Sequence, residues 1–247
     1  MFNCRLDDYT LLKTGFKSIS KIVSEVQIQT DSDGIRLDAL DKAHITFIHL
    51  EFCKDYFSEY VCTEPEKINV DTEQVLKVLK RGKRDDALYL TLDENNLIFN
   101  FTGDADKHFK IRLIDMDYTA PSPPELVLSG KSVIPFKVLK DSMSDMGLFS
   151  EKVLISIKSD KTVFIGKGDM GDSQVEYNGL YGSDEDNIGE STYSLEKINE
   201  LLRADKFSAE AILELGVNTP LTLTLKNEDE TGTLSFLLAP RIENYGD

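Results

Sequence analysis

Short stretches in which polar and apolar residues alternate make up much of this chain. The alternation is clearest over residues 35–37, 44–48, 88–92, 97–101 and 221–225. A period of two places successive side chains on opposite faces, so each stretch predicts a short β-strand. Turn signals such as Asp33-Gly34 separate the strands and favour antiparallel sheets.

Four segments have helical periodicity instead. They are predicted at residues 8–24, 72–81, 136–146 and 194–204. Asp71 and Ser194 stand where N-capping side chains would start the second and fourth helices. Pro135 precedes the third helix, where its fixed backbone angle suits a helix start. Strands and helices together predict the α+β class.

The order of these elements occurs twice along the chain. Val70–Leu79 resembles Tyr193–Leu202 in pattern at an offset of 123, and Ser32-Asp33 resembles Ser159-Asp160 at an offset of 127. Nearly equal offsets indicate a duplicated unit of about 115–125 residues. The proline-rich stretch between the halves is typical of a stiff connector. We predict an N-terminal domain at 1–116, a connector at 117–131 and a C-terminal domain at 132–247, each domain with two helices packed on antiparallel sheets.

The bulk composition limits the class of protein. The formal net charge is −16, from 28 Lys and Arg against 44 Asp and Glu, which alone argues against a nucleic-acid-binding domain. Cys4, Cys53 and Cys62 have no metal-ligand spacing and are expected to be reduced thiols. No apolar run approaches the ~20 residues of a membrane span, and no signal peptide is recognisable. We therefore expect an intracellular protein that does not enter a membrane.

The predicted helices nevertheless carry basic outward faces. Lys13, Lys17 and Lys21 recur every four residues in the first helix, and Lys77, Lys80, Arg81 and Arg84 follow helical spacing in the second. The third helix offers Lys137 and Lys140, and the fourth offers Lys197. Such lysines are often only a solvated face, but in an acidic chain glutamates should dominate there. A basic layer inside an acidic shell suits a path for the DNA backbone.

The opposite helix faces are apolar and are expected to point towards the core. These residues are Leu12, Phe16, Ile19 and Val23 in the first helix, Val75, Leu76 and Leu79 in the second, and Phe136, Leu139, Met143 and Met146 in the third.

Three longer motifs resemble one known family. They are Asp33-Gly34-Ile35-Arg36-Leu37-Asp38-Ala39-Leu40-Asp41 followed by His44-Ile45, Leu79-Lys80-Arg81-Gly82-Lys83, and Leu237-Leu238-Ala239-Pro240-Arg241-Ile242-Glu243. In these motifs the chain is similar, over essentially its whole length, to the proliferating cell nuclear antigen family of DNA sliding clamps, and to its archaeal branch in particular. The resemblance implies a non-enzymatic processivity factor without a cofactor or metal. It also implies the DNA clamp fold, with three two-domain subunits closing a pseudo-sixfold ring around duplex DNA.

The resemblance also implies three sets of site residues. Those facing the DNA are Lys13, Lys17, Lys21, Lys77, Lys80, Arg81, Lys83, Arg84, Lys137, Lys140 and Lys197. Those binding partner peptides are Leu40, His44, Ile45, Leu126, Leu128, Leu237, Ala239, Pro240 and Arg241. Those joining subunits in a homotrimer are Lys107, His108, Lys110 and Arg112 on one edge and Asp172, Gln174, Glu176 and Tyr177 on the other. The implied partners are DNA polymerase, clamp loader, ligase and flap nuclease, in the cytoplasm or nucleoid of an archaeon or in a eukaryotic nucleus.

Other interpretations of the sequence are weaker. A checkpoint-type clamp or one member of a heterotrimer would share these features, whereas a hydrolase using two carboxylates has no spacing in its favour. The GxGxxG motif at 166–171 is followed by strand-like residues, which favours a β-turn over a dinucleotide loop. Residues 184–189 resemble a calcium loop only faintly, because Ile188 stands where a ligand oxygen is needed, and they are predicted to form a solvated acidic loop. His44 and His49, five apart on a predicted strand, should point to opposite faces, which does not suggest zinc.

Overall fold

A computed structural model of the protein describes residues 1–116, 121, 126–179 and 188–241. The chain divides into two compact units, Met1–Ser122 with Lys226–Leu234, and Pro123–Leu225 with Ser235–Asp247. The predicted limits of the domains and the connector stay predictions. No helix among the described residues is long and apolar enough to cross a membrane.

Between its residues 1 and 116, all of which are described, the first unit contains two helices, nine strands and a short 3-10 helix. In chain order they are β1 (Phe2–Leu6), α1 (Thr10–Ile22), β2 (Glu25–Thr30), β3 (Gly34–Leu40), β4 (Thr46–Cys53), the 3-10 helix (Lys54–Tyr56), β5 (Glu59–Cys62), β6 (Glu66–Asp71), α2 (Thr72–Leu79), β7 (Ala87–Asp93), β8 (Asn96–Thr102) and β9 (Lys107–Arg112).

Among its described residues, the second unit repeats this order of elements without a 3-10 helix or a counterpart of β5, and its last strand begins in the segment Lys226–Leu234 that is grouped with the first unit. They are β10 (Gly130–Pro135), α3 (Phe136–Met146), β11 (Lys152–Ile157), β12 (Thr162–Gly168), β13 (Gly171–Tyr177), β14 (Gly189–Ser194), α4 (Leu195–Leu201), β15 (Glu210–Leu215), β16 (Leu221–Lys226) and β17 (Gly232–Leu238).

The strands of both units follow one topology. The first unit has the orders β5-β1-β7-β8-β9 and β6-β2-β3-β4. The described strands of the second unit have the orders β10-β15-β16-β17 and β14-β11-β12-β13, which match those of the first unit apart from β5. Neighbouring strands are antiparallel, for example β7 with β8 and β11 with β12. The prediction of two similar α+β halves, each with two helices on antiparallel sheets, is therefore confirmed.

Burial follows the periodicity of the sequence. In β8, Leu97, Phe99 and Phe101 are buried, and the residues between them are partly exposed. The apolar faces of α1, α2 and α3 are buried as predicted, with Phe16 and Met143 almost without exposed surface. Val23 is the exception, because α1 has ended and the residue is extended and only half-buried.

Three of the four helices are shorter than predicted, and side-chain hydrogen bonds mark the starts of two of them. The Asp8 carboxylate accepts a hydrogen bond from the Thr10 amide at 2.7 Å, and α1 begins there rather than at residue 8. The Asp71 carboxylate caps α2 by accepting from the Gln74 amide at 2.8 Å, as predicted. Ser194 precedes α4 but makes no capping side-chain hydrogen bond. α3 begins directly after Pro135 and has the predicted bounds.

Candidate nucleic-acid and subunit interfaces

Helices α1 and α2 pack against each other in the first unit and turn basic residues outward. Lys17 and Lys21 of α1 are exposed, whereas Lys13 is half-buried with its Nζ 5.5 Å from the ring centre of Tyr9. On α2, Lys77 is exposed and lies 3.8 Å from the Glu73 carboxylate. Because α1 contains no acidic residue, all the charged side chains on its outward face are cationic.

The other first-unit residues that were predicted to face DNA lie in the turn after α2 and not on the helix. α2 ends at Leu79, so the predicted helical spacing from Lys77 to Arg84 is wrong beyond that residue. At Gly82 a side chain would collide with the Tyr9 hydroxyl and the Phe101 ring, which leaves room only for glycine. The Tyr9 hydroxyl donates to the carbonyl of Lys83 at 2.6 Å and fixes the turn. The turn still exposes its cations, Lys80, Arg81, Lys83 and Arg84.

The helix faces of the second unit are less basic. Lys137 and Lys140 of α3 are exposed, and Lys140 lies 3.3 Å from Asp205. Lys197 of α4 is half-buried and lies 3.0 Å from Glu200. Lys197 and Lys140 therefore have their charge partly cancelled within the unit.

Two edge strands carry the predicted subunit-interface residues. β9 ends one sheet of the first unit, with His108, Lys110 and Arg112 exposed. β13 ends the four-stranded sheet of the second unit, with Asp172 and Gln174 exposed. An edge strand presents backbone N–H and C=O groups that a strand from another chain can pair with.

Two of the predicted interface charges are already engaged within their own unit. Lys107 Nζ donates to the buried Asp86 carboxylate at 2.8 Å and to the carbonyl of Arg81 at 3.2 Å. The hydrogen bond from Lys107 holds the pKa of Asp86 below its ordinary value. Glu176 accepts a hydrogen bond from Lys161 at 2.9 Å, which likewise lowers the pKa of Glu176. His108 contacts Asn100, and Tyr177 is half-buried.

An apolar patch beside β13 was missed by the sequence analysis. Leu148 and Phe149 follow α3 and are 71% and 41% exposed, and Met170 in the β12–β13 turn is 91% exposed. The Phe149 ring lies against Gly171, the first residue of β13. Two adjacent large apolar residues directly after a helix were the signal, because a solvated loop seldom contains them. The GxGxxG motif forms the β12–β13 hairpin around this patch, which confirms the predicted turn.

The predicted peptide-binding residues are divided between the two units. Leu40, His44 and Ile45 belong to the first, where the Asp41 carboxylate accepts hydrogen bonds from the amides of Ile45 and Thr46. His44 is not on a strand as predicted: it lies in the turn before β4 with a left-handed φ of 56°. Ile45 is 38% exposed and His44 is also exposed.

The other members of that set belong to the second unit. They are Leu126, Leu128, Leu237, Ala239, Pro240 and Arg241. Leu126 and Leu128 are half-buried, while Val127 between them is 90% exposed. The Arg241 amide donates to the carbonyl of Thr192 at 2.8 Å, which holds the end of the described chain on β14.

Among the described residues, no group of three or more His, Cys, Asp or Glu side chains is arranged to hold a metal ion. The acidic loop proposed at 184–189 lies mostly outside the described residues, with only Ile188 and Gly189 within them.

Proteins similar in sequence to this chain match it over nearly its full length. Residues 1–120 match the family model described as proliferating cell nuclear antigen, N-terminal domain. The DNA polymerase sliding clamp of Methanothermobacter thermautotrophicus is 52% identical over 243 residues, covering 98% of this chain and 99% of the relative. That of Methanobrevibacter smithii is 50% identical over 244 residues, covering 99% of both chains.

Solved structures give the same result for the fold. The proliferating cell nuclear antigen of Thermococcus kodakaraensis superposes with a TM-score of 0.91 at 26% identity, covering 98% of this chain and 100% of that chain. That of Entamoeba histolytica superposes with a TM-score of 0.90 at 18% identity, covering 98% of this chain and 99% of that chain, which speaks for the fold alone. With half of its residues identical to two clamps over nearly its full length, the chain belongs to the proliferating cell nuclear antigen family of DNA polymerase sliding clamps.

Proposed function

We propose that three identical copies of this chain close a ring that encircles duplex DNA and tethers DNA polymerase to it. The observation that carries the proposal is the pair of unlike sheet edges: β9 exposes Lys110 and Arg112, and β13 exposes Asp172. A ring of identical subunits needs head-to-tail contacts between two different, complementary surfaces. Opposite charges on two edge strands meet that need.

The apolar patch of Leu148, Phe149 and Met170 supports the same contact. Large exposed apolar groups beside an edge strand are typical of surfaces that another protein covers. Backbone hydrogen bonds between β9 of one subunit and β13 of the next would fix the relative orientation of the two strands. The apolar patch would supply buried apolar area. The charges would then determine which edges meet.

Contacts to DNA in this proposal are weak and independent of sequence. The exposed cations of α1, and of α2 with its following turn, would meet phosphates, with smaller contributions from Lys137, Lys140 and Lys197. A closed ring cannot dissociate sideways, so retention would not need tight binding. Topology would supply the processivity, and no catalytic group is required.

The proposed partners are polymerases, clamp loader, ligases and flap nucleases that compete through short peptides. Leu126, Leu128, Leu237, Ala239, Pro240 and Arg241 are the second-unit residues that we propose for this role, and Leu40, His44 and Ile45 of the first unit are also proposed from the family resemblance. Calorimetric titration with a glutamine-led peptide ending in aromatic residues should detect binding. Replacement of Leu126 and Leu128 by serine should abolish it, and unchanged affinity would move the site elsewhere.

Solution mass tests the ring. At micromolar concentration and low salt, the purified 27.8-kDa chain should form an assembly with three times the mass of one chain. Arg112→Glu should weaken the assembly, because it places two acidic edges together, and Asp172→Lys in the same chain should restore it. Lys67→Glu, a change of an exposed lysine on β6, serves as the control. A wild-type chain that stays monomeric alone would contradict the homotrimer and favour a heterotrimeric or checkpoint-type clamp.

A further inference from the structure

Asn178 and Gly179 form the only Asn-Gly pair in the chain, directly after the end of edge strand β13. Every other asparagine is followed by a residue with a side chain. An asparagine side chain can react with the backbone nitrogen of the next residue, and glycine hinders that approach least because it has no Cβ. The sequence therefore contains one position where this reaction is sterically unhindered.

The structure leaves the Asn178–Gly179 pair free to react. Tyr177 is the last residue of β13 that pairs with β12, opposite Thr162, so Asn178 lies beyond the hydrogen-bonded ladder. Asn178 is exposed, and Gly179 is half-buried in a segment without regular secondary structure. Among the described residues, neither the Asn178 side chain nor the Gly179 amide takes part in a hydrogen bond. No contact within the described part of the chain therefore holds the two reacting groups apart.

A comparable pair in the first unit is held in place instead. Asp33-Gly34 is the only Asp-Gly pair in the chain, and an aspartate can react with the next backbone nitrogen in the same way. The Asp31 carboxylate accepts hydrogen bonds from the amide of Asp33 at 2.8 Å and from that of Gly34 at 3.3 Å. Gly34 also packs closely against the backbone of Phe52 and Cys53. Because the Gly34 nitrogen is hydrogen-bonded and cannot turn towards the Asp33 side chain, this pair should not react.

We propose that Asn178 and Gly179 are a site of spontaneous succinimide formation, and that pairing of β13 in the ring slows the reaction. The second part rests on the proposed function, in which β9 of a neighbouring subunit orders the end of β13. In the free subunit, the backbone nitrogen of Gly179 attacks Cγ of Asn178 and loses its proton, and the side-chain nitrogen leaves as ammonia. Water then opens the succinimide at one of its two carbonyls. Cleavage of the bond from nitrogen to Cγ gives aspartate, and cleavage of the bond from nitrogen to the main-chain carbonyl carbon gives isoaspartate.

The two products change the end of β13 in different ways. Both add a carboxylate to a strand that already carries Asp172 and Glu176. Isoaspartate also routes the main chain through the former side chain, which inserts one methylene group and disturbs the regular spacing on which strand pairing depends. The carboxylate that isoaspartate frees is the group that isoaspartyl methyltransferases modify, with S-adenosylmethionine as the methyl donor. The modified chain is therefore a substrate for that class of enzyme.

Peptide mapping by mass spectrometry tests the proposal on the full-length chain, held in mildly alkaline buffer. The assembled wild-type chain is compared with the chain dissociated by dilution or by Arg112→Glu, and solution mass and thermal melting are measured in parallel. Conversion of Asn178 should be about threefold or more faster in the dissociated chain. Gly179→Ala should slow conversion about tenfold or more in both states, because a Cβ hinders the attack. Transfer of a labelled methyl group by a purified isoaspartyl methyltransferase measures the isoaspartate formed.

The free peptide Gln-Val-Glu-Tyr-Asn-Gly provides the reference rate. Unchanged Asn178 in the dissociated chain, after a time in which this peptide is half converted, would overturn the proposed site. Isoaspartate at Asp33 before Asn178 would contradict the comparison of the two pairs. Equal rates in the assembled and dissociated chains would overturn the protection by the ring. A chain that never assembles would contradict the proposed ring and with it the protection, while the reaction site would still be judged against the peptide.

Discussion

The two units share one topology and differ in what they expose. Both place two helices on two antiparallel sheets in the same strand order. The α1 helix of the first unit carries three lysines and no acid, whereas α4 of the second carries one lysine between two glutamates. The sheet face that holds paired polar groups in the first unit presents Leu154 and Ile165 in the second. The shared pattern of buried apolar residues therefore gives both units the same topology. The exposed residues differ between the units and can serve different functions.

The largest expected effect tests the shared cores. Phe16 of α1 and Met143 of α3 stand at matched positions, 127 residues apart, and both are buried. Phe16→Ala should lower the free energy of unfolding by about 3–5 kcal/mol and Met143→Ala by about 2–5 kcal/mol, because each leaves a cavity. Chemical denaturation measures both. An effect below about 1 kcal/mol at either position would mean that the matched packing does not hold.

A smaller effect tests the difference between the helix faces. The triple variant Lys17→Ala, Lys77→Ala and Lys80→Ala should impair DNA-dependent polymerase stimulation more than the matched triple of Lys137, Lys140 and Lys197. Each lost phosphate contact should reduce the salt dependence of DNA binding by about one unit of slope.

Unchanged solution mass in both triple variants is the control for ring assembly. Equal loss of stimulation in the two variants would contradict the asymmetry of the helix faces. Full stimulation in the first-unit triple would contradict the assignment of its cations to DNA.

The smallest expected effect is a pH dependence of folding stability that comes from the His49–Asp38 pair. The Asp38 carboxylate, 2.7 Å from His49 Nδ1, raises the pKa of His49, although burial opposes the rise. A raised folded pKa contributes stability that is complete below the unfolded pKa of about 6.5 and is lost as pH rises through the folded pKa. The loss should be about 1 kcal/mol or less, as for other partly exposed pairs.

Denaturation midpoints between pH 5.5 and about 8.5 measure this loss. His49→Gln should remove the contribution of the His49–Asp38 pair to the slope of the denaturation midpoint against pH. The second unit contains no histidine, so it offers no matching change in this range. An identical slope in the variant would assign the pH dependence to other groups.

Periodicity was sufficient to predict the helices, the core positions and the duplication, because burial repeats with the geometry of each element. It failed where a tertiary contact ended an element. The turn at Gly82 depends on Tyr9 and Phe101, which come from distant parts of the chain. The pairing of Lys107 with Asp86 was equally invisible, since only folding brings β9 beside that turn. The cavity lined by Leu154, Ile165 and Arg241 forms only when strands β11 and β12 meet the chain that follows β17. The local sequence pattern therefore does not predict it.

Lys107 also connects edge strand β9 to the basic turn after α2 through its side-chain hydrogen bonds. Its ammonium group joins edge strand β9 to the carboxylate of Asp86 and to the carbonyl of Arg81, within the turn that exposes the cations after α2. A force that draws β9 outward must either break these bonds or pull the turn with it. Strain applied at the edge of the sheet is thus transmitted to the basic turn. In the proposed ring, opening at this edge would therefore also displace the basic turn that is proposed to contact DNA.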